Sequence, residues 1–104
     1  MLTQATFWAE AHELNPSDLE AAYELSNALR QLGNPQARQS FRTALALSPG
    51  EASVMSNLAL SHALSGEAET AEAMLREAMI RPGAEAAVRQ NLALVIALQG
   101  RFAE

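Results

Sequence analysis

Apolar and small side chains recur along this chain at intervals of three, four and seven positions. One such set is Leu25, Ala28, Leu29 and Leu32. Because one turn of an α-helix takes about 3.6 residues, side chains with this spacing share one face of a helix. The pattern therefore predicts a helix with one apolar side over this part of the chain.

A second stripe with helical spacing follows the first. Its members are Ala37, Phe41, Ala44 and Leu45. Gly33 separates the two stripes, and glycine readily adopts the left-handed conformation in which many helices end. Pro49 follows the second stripe, and the residue before a proline disfavours helix. The sequence thus predicts two helices joined by a short turn.

The two-helix pattern recurs along the chain at a nearly constant interval. The same residue type recurs after 33 or 34 positions in four sets: Gly33, Gly66 and Gly100; Leu25, Leu58 and Leu92; Pro16, Pro49 and Pro82; Ala11, Ala44 and Ala78. The string Asn-Leu-Ala-Leu also occurs twice, at 57–60 and 91–94. Such self-similarity is typical of repeat proteins, in which each unit buries one face against its neighbours.

Composition supports helices over a sheet. The 104 residues include 22 Ala and 15 Leu, but only nine Val, Ile and Thr together. Alanine and leucine favour helices, whereas strands are enriched in β-branched residues. The length suits one domain rather than two independent cores. We therefore expect an all-α chain.

The recurring positions resemble the tetratricopeptide repeat (TPR) family, whose unit is a helix-turn-helix of the same length as the interval seen here. That family carries Leu and a small residue in its first helix, Gly at the turn, Ala-x-x-x-aromatic-x-x-Ala in its second helix, and then Pro. The matching residues are Leu25, Ser26, Gly33, Ala37, Phe41, Ala44 and Pro49, and then Leu58, Ala59, Gly66, Ala71, Leu75, Ala78 and Pro82. The resemblance implies an α-solenoid of antiparallel helix pairs, with about six helices in a right-handed superhelical stack.

The repeat register predicts that residues 1–104 form a single TPR array segment with several parts. Its parts are the second helix of a partial repeat at 2–14, repeats at 19–49 and 52–82, and another partial repeat at 84–104. Apolar residues without predicted cover lie in both terminal parts: Phe7, Trp8, Leu92, Val95 and Ile96. Because solenoid units bury their faces against neighbours, we expect a segment of a longer array. The alternative is a homo-oligomer in which two chains cover each other's terminal helices.

Charge and cysteine content exclude several classes of function. The formal net charge is −5, all seven basic residues are Arg, and there is no Cys. Non-specific binding to nucleic acid requires Lys and Arg to neutralise phosphates, so a nucleic-acid partner is not expected. Disulfides and thiolate-bound metals are excluded. The longest apolar run, Leu92–Leu98, is too short to span a membrane.

The titratable residues do not form a catalytic pattern. His12 and His62 are far apart in sequence and belong to different repeats. We expect His62 to be a packed ring on the apolar face of its helix, rather than a metal ligand or an acid–base catalyst. We expect His12 on the surface near a helix C-terminus, where positive charge is favoured. Three carboxylates, Glu67, Glu69 and Glu72, fall at a predicted helix start, where the helix dipole favours negative charge. The sequence therefore predicts no enzyme activity, cofactor or metal.

In TPR proteins the first helices line a concave groove that binds peptides or helices. When the groove positions of the family are transferred to this sequence by repeat register, the expected groove residues are Tyr23, Asn27, Arg30, Ser56, Asn57, Leu60, Leu64, Gln90, Asn91 and Leu94. The leucines of this set, Leu60, Leu64 and Leu94, form an apolar stripe together with Leu98. The core of the repeat does not require this stripe, and apolar stripes on a solvent-facing surface commonly mark partner sites. We expect a helix or an extended apolar segment as ligand. TPR proteins that hold chaperone C-termini use groove lysines, which this chain lacks.

The stretch 91–104 is similar to TPR proteins of the tight-adherence (Flp) pilus assembly system, the TadD type. That resemblance implies a bacterial scaffold protein, periplasmic or associated with the outer membrane, that helps to assemble a multiprotein complex. A TPR module of another type would be expected in the cytoplasm. The alternative function is a regulatory TPR segment of a larger enzyme, such as a transferase, with catalysis outside these residues.

Overall fold

The computed structural model describes residues 3–100, and every regular element in that range is an α-helix. The helices are α1 (Gln4–Leu14), α2 (Leu19–Gln31), α3 (Ala37–Leu47), α4 (Ala52–Leu64), α5 (Ala68–Met79) and α6 (Ala86–Leu98). The all-α prediction is confirmed, and the described residues contain the six helices expected. They form two units, residues 1–49 with α1 to α3 and residues 50–104 with α4 to α6.

In the unit 1–49, α2 packs against both α1 and α3. The buried residues of α2 and α3 are mostly small: Ala21, Ala22, Ser26, Ala28, Ala37, Phe41 and Ala44. The Ser26 hydroxyl donates to the Ala22 carbonyl over 2.7 Å, so this buried polar group is satisfied. Asp18 caps α2, because its Oδ1 accepts from the Glu20 N–H over 3.0 Å.

In the unit 50–104, α5 packs against α4 and α6, and α4 also packs against α6. One core cluster joins the three helices: Ala52, Ala59, Ala63, Ala71, Leu75, Ala78, Val88 and Val95. Alanines at the facing positions let the helix backbones approach closely, and the larger Leu75, Val88 and Val95 fill the remaining space. The predicted core positions of the second helix, Ala71, Leu75 and Ala78, are the buried residues of α5.

The glycines predicted to end the first helix of each repeat have the expected conformation. Gly33, Gly66 and Gly100 follow α2, α4 and α6 with φ of +70°, +85° and +74°. After α4, the Gly66 N–H donates to the Ala63 carbonyl over 3.0 Å, and the Glu67 N–H donates to the His62 carbonyl over 2.9 Å. These two bonds satisfy carbonyl groups that the helix itself leaves without donors.

Two predicted boundaries involve residues that are not described. Residue 2, the predicted start of the first helix, and residues 101–104, the predicted start of a partner for α6, both lie outside the described range. Within that range, α1 begins at Gln4, and the Thr3 side chain caps it by accepting from the Thr6 N–H over 3.1 Å. None of the described helices combines the length and the apolar character that crossing a membrane requires.

Candidate binding surface

Seven of the predicted groove residues lie on α4 and α6, two helices that pack against each other. α4 carries Ser56, Asn57, Leu60 and Leu64, and α6 carries Gln90, Asn91 and Leu94. Ser56 and Gln90 are one repeat length apart, and the same spacing separates Asn57 from Asn91 and Leu60 from Leu94. The two helices therefore offer equivalent positions of two successive repeats, as the register predicts.

The C-terminal halves of both helices expose leucines. The exposed fraction is 66% for Leu64, 47% for Leu94 and 57% for Leu98, while Leu60 is half-buried. We call these four residues the leucine surface. None of them belongs to the core cluster of the unit. The leucine surface is consequently apolar area that the described fold leaves in contact with water.

Polar side chains in the N-terminal halves of α4 and α6 join the two helices by a hydrogen bond. The Asn91 Nδ2 donates to the Ser56 Oγ over 2.8 Å. Ser56 is only 3% exposed, whereas Asn57 and Asn91 are half-buried and Gln90 is exposed. Ser56 therefore lies beneath the surface and connects the helices, because its hydroxyl accepts from α6. We leave it out of the surface available to a ligand.

The other three predicted groove residues, Tyr23, Asn27 and Arg30, belong to α2 and the unit 1–49. All three are half-buried. The Arg30 Nε is buried and has no hydrogen-bond partner within the described structure. A role for these residues in ligand contact stays a prediction.

His62 is buried, as expected for a packed ring. Its Nδ1 lies 3.3 Å from the Glu67 Oε2, so the ring links the last turn of α4 to the residue that precedes α5. Among the residues that the structure describes, no group of three or more His, Asp or Glu side chains is placed to hold a metal ion. The pair thus joins the end of α4 to the turn that leads into α5.

His12 lies in the last turn of α1, as predicted, but the expectation that it is a surface residue was wrong. Its side chain is half-buried, and its Nδ1 is buried without a hydrogen-bond partner in the described range. The ring lines a cavity of about 30 Å³ together with Ala22, Leu25, Ser40 and Thr43. The physical reason is packing of α1 against α2, which directs this position inward. A signal was present, since His12 has the repeat register of Leu45 and Met79, which are also partly buried.

Sequence reasoning missed one polar contact of the unit 50–104. The Gln99 Nε2 donates to the Glu72 Oε1 over 2.7 Å and so ties the end of α6 to α5. The other oxygen of Glu72 accepts from the Arg76 Nε over 2.8 Å. The sequence indicated only that Glu72 belongs to the start of a helix. Its partner is 27 residues away, and nothing in the local pattern identifies it.

The helix pairs, the glycine turns and the repeating core positions define a TPR-like helical repeat. The crystal structure of MamA has a similar fold, with a TM-score of 0.74 over 91% of this chain and 20% sequence identity. This chain spans 56% of the MamA chain, so the similarity concerns the fold and not the whole of that protein. No family model matches the sequence, and no curated protein matches it.

Proposed function

We propose that this chain is a non-enzymatic scaffold module that binds a helix or an extended apolar segment of a partner protein on the leucine surface. The observation that carries this proposal is the exposure of Leu64, Leu94 and Leu98 on two helices that pack against each other. A TPR-like fold is consistent with this role, because stacked repeats commonly provide extended binding surfaces.

The arrangement of apolar residues on α6 separates a core side from an outer side. Val88 and Val95 are buried in the core cluster, whereas Leu94 and Leu98 are exposed to solvent. Each exposed leucine forgoes burial free energy of about 25 cal/mol per Å² of apolar surface. A ligand that covers the leucine surface would recover this free energy, which gives the binding its driving force.

The polar residues beside the leucine surface favour a particular kind of ligand. Gln90 is exposed, and Asn57 and Asn91 are half-buried, so amide groups border the leucines. No charged residue occurs between Ala52 and Leu64 on α4, and Arg89 is the charged residue of α6. We therefore propose a ligand with apolar residues three or four apart on a helix, or alternating on an extended segment, and few charges among them.

We further propose that the scaffold acts in the bacterial envelope, in assembly of a tight-adherence (Flp) pilus complex. The support is the resemblance of the stretch 91–104 to TadD-type TPR proteins. The full open reading frame tests this finer proposal. A lipoprotein signal with an early Cys would support it, whereas a fused catalytic domain would favour the regulatory segment of a larger enzyme.

Selection of short random peptides displayed on phage, with this chain immobilised, tests the binding proposal. We expect the selected peptides to share apolar residues at helical or alternating spacing and to bind the Leu60→Glu/Leu94→Glu variant poorly. Circular dichroism should show that the variant keeps its helices, because neither leucine belongs to the core cluster. Selected peptides that bind the wild type and the double variant equally would refute the proposed surface.

A further inference from the structure

Glu72 of α5 is a charged residue whose side chain is only 12% exposed. Its Oε2 accepts from the Arg76 Nε over 2.8 Å and lies 2.7 Å from a second guanidinium nitrogen of Arg76. Arg76 follows one turn later on the same helix and is exposed. Burial of a carboxylate is costly unless the charge is paired. The pairing with Arg76 meets this requirement and also fixes the direction of the carboxylate on α5.

The other oxygen of this carboxylate holds the end of α6. The Gln99 Nε2 donates to the Glu72 Oε1 over 2.7 Å, and it lies 3.4 Å from the Val95 carbonyl oxygen in the last turns of α6. Gln99 is the C-terminal cap of α6 and directly follows Leu98, an exposed member of the leucine surface. Through Gln99, Glu72 therefore fixes the turn of α6 that carries this leucine.

Side-chain hydrogen bonds tie α6 to both of its neighbours. Asn91 bonds to Ser56 of α4, and Gln99 bonds to Glu72 of α5. Eight residues separate Asn91 from Gln99, which is about 12 Å along the helix axis. The two leucines that α6 contributes to the leucine surface lie between these ties. A rotation of α6 about its axis would therefore break at least one tie and also turn the leucines.

The bond to Glu72 is not a requirement of the repeat itself. One repeat earlier, Arg38 and Ser65 occupy the positions of Glu72 and Gln99. Arginine has no acceptor atom, so the contact of a cap residue with a carboxylate is particular to the later repeat. The buried alanines of the second helices, by contrast, recur in both repeats. The reason for the bond therefore lies in this part of the chain.

We propose that Glu72 is a positioning residue for ligand binding: by holding Gln99, it sets the orientation of Leu94 and Leu98 relative to the leucines of α4. This inference rests on the proposed function of the leucine surface. Hydrogen bonds are directional, whereas apolar burial is not, so packing in the core cluster alone constrains the rotation of α6 less sharply. The ties to α4 and α5 together select the rotation in which all four leucines face the same ligand.

Loss of the tie to α5 lowers the fraction of chains whose leucine surface is arranged for the ligand. The apparent Kd rises by the inverse of that fraction, so a competent fraction of about one fifth gives about fivefold weaker binding. Glu72 lies on α5, outside the leucine surface. Its effect on affinity is therefore exerted through α6 and not through contact with the ligand.

Stability should respond differently from affinity when Glu72 is replaced by leucine. Replacing a buried ion pair by an apolar residue of similar volume is often neutral or stabilising, because no charge has to be desolvated. Gln99 is half-buried and Arg76 is exposed, so both can bond to water in the variant. Glu72→Leu should consequently weaken binding without weakening the fold, and a merely structural role would not separate the two.

Isothermal titration with a peptide selected on phage, together with urea denaturation, provides the test. We expect the Kd of Glu72→Leu to be at least about fivefold above that of the wild type, with an unchanged or higher urea midpoint. Gln99→Ala should weaken binding to a similar degree. Glu72→Leu/Gln99→Ala should weaken it no further than either single variant, because both changes remove the same bond. The matched control, Glu69→Leu, removes the same charge from an exposed position of α5 and should bind as the wild type does.

Hydrogen exchange adds a measurement without ligand. Amides in the last turn of α6 should exchange at least about fivefold faster in Glu72→Leu than in the wild type, with α4 unchanged. Equal α6 exchange rates overturn the inference, as do equal affinities of Glu72→Leu and the wild type, or a double variant whose loss is the product of the two single losses. A wild type that binds no peptide refutes the proposed function and this inference with it, an outcome distinct from equal binding by wild type and variant.

Discussion

The Asn91 side chain donates a hydrogen bond from Nδ2 to the Ser56 Oγ over 2.8 Å, and this bond fixes α6 against α4. The two residues belong to successive repeats and are 35 positions apart in sequence. The leucine surface begins within about one turn of this bond on each helix. We infer that the bond helps to hold the two halves of the leucine surface in register.

The first prediction concerns the stability that this bond contributes. Ser56→Ala should lower the free energy of unfolding by about 1 kcal/mol, because the half-buried Asn91 amide loses its acceptor. Urea denaturation of Ser56→Ala, Asn91→Ala and the double variant measures the coupling between the residues. We expect a coupling of about 0.5–1.5 kcal/mol. Gln90→Ala, at an exposed neighbour, should change stability by less than about 0.5 kcal/mol.

The second prediction separates the core from the leucine surface. Leu75 is fully buried, so Leu75→Ala should cost about 2–5 kcal/mol through lost burial and the cavity left behind. Leu64→Ala makes the same chemical change at a residue that is 66% exposed, and it should change stability by less than about 0.5 kcal/mol. Equal losses in urea denaturation would contradict the assignment of Leu64 to the surface.

The third prediction concerns the turn after α4. Gly66 has a φ of +85°, and a Cβ at this position would meet no atom within 4 Å. The cost of Gly66→Ala is therefore backbone strain alone, about 1–2 kcal/mol. Gly66→Asn should cost less, because asparagine tolerates the left-handed conformation better. If thermal unfolding shows equal losses for both variants, strain is not the cause.

The helix pairs and their turns could be predicted from sequence because their signals are local. Gly33, Gly66 and Gly100 mark helix ends by a conformational preference of a single residue, and the structure gives each a positive φ. Helical spacing likewise identified the buried positions Ala71, Leu75 and Ala78. The threefold recurrence of the pattern strengthened these signals, since each repeat provided an independent observation.

The contacts between side chains of different helices could not be predicted in the same way. His12 was expected on the surface, but packing of α1 on α2 directs it into a small cavity. The bond from Gln99 to Glu72 depends on how the end of α6 meets α5. Ser56 illustrates the same difficulty, because register placed it in the groove while its hydroxyl is covered. Such contacts depend on tertiary packing, which residue spacing does not encode.

The central claim is that the leucine surface binds an apolar segment of a partner. Isothermal titration of the wild type with one selected peptide, alongside Leu64→Glu/Leu94→Glu, tests this claim most directly. The control is Leu14→Glu/Leu32→Glu, which changes two exposed leucines outside that surface. We predict that the first variant weakens binding at least about tenfold and that the control leaves it unchanged. Equal affinity for wild type and the Leu64→Glu/Leu94→Glu variant, or equal weakening by the control, would contradict it.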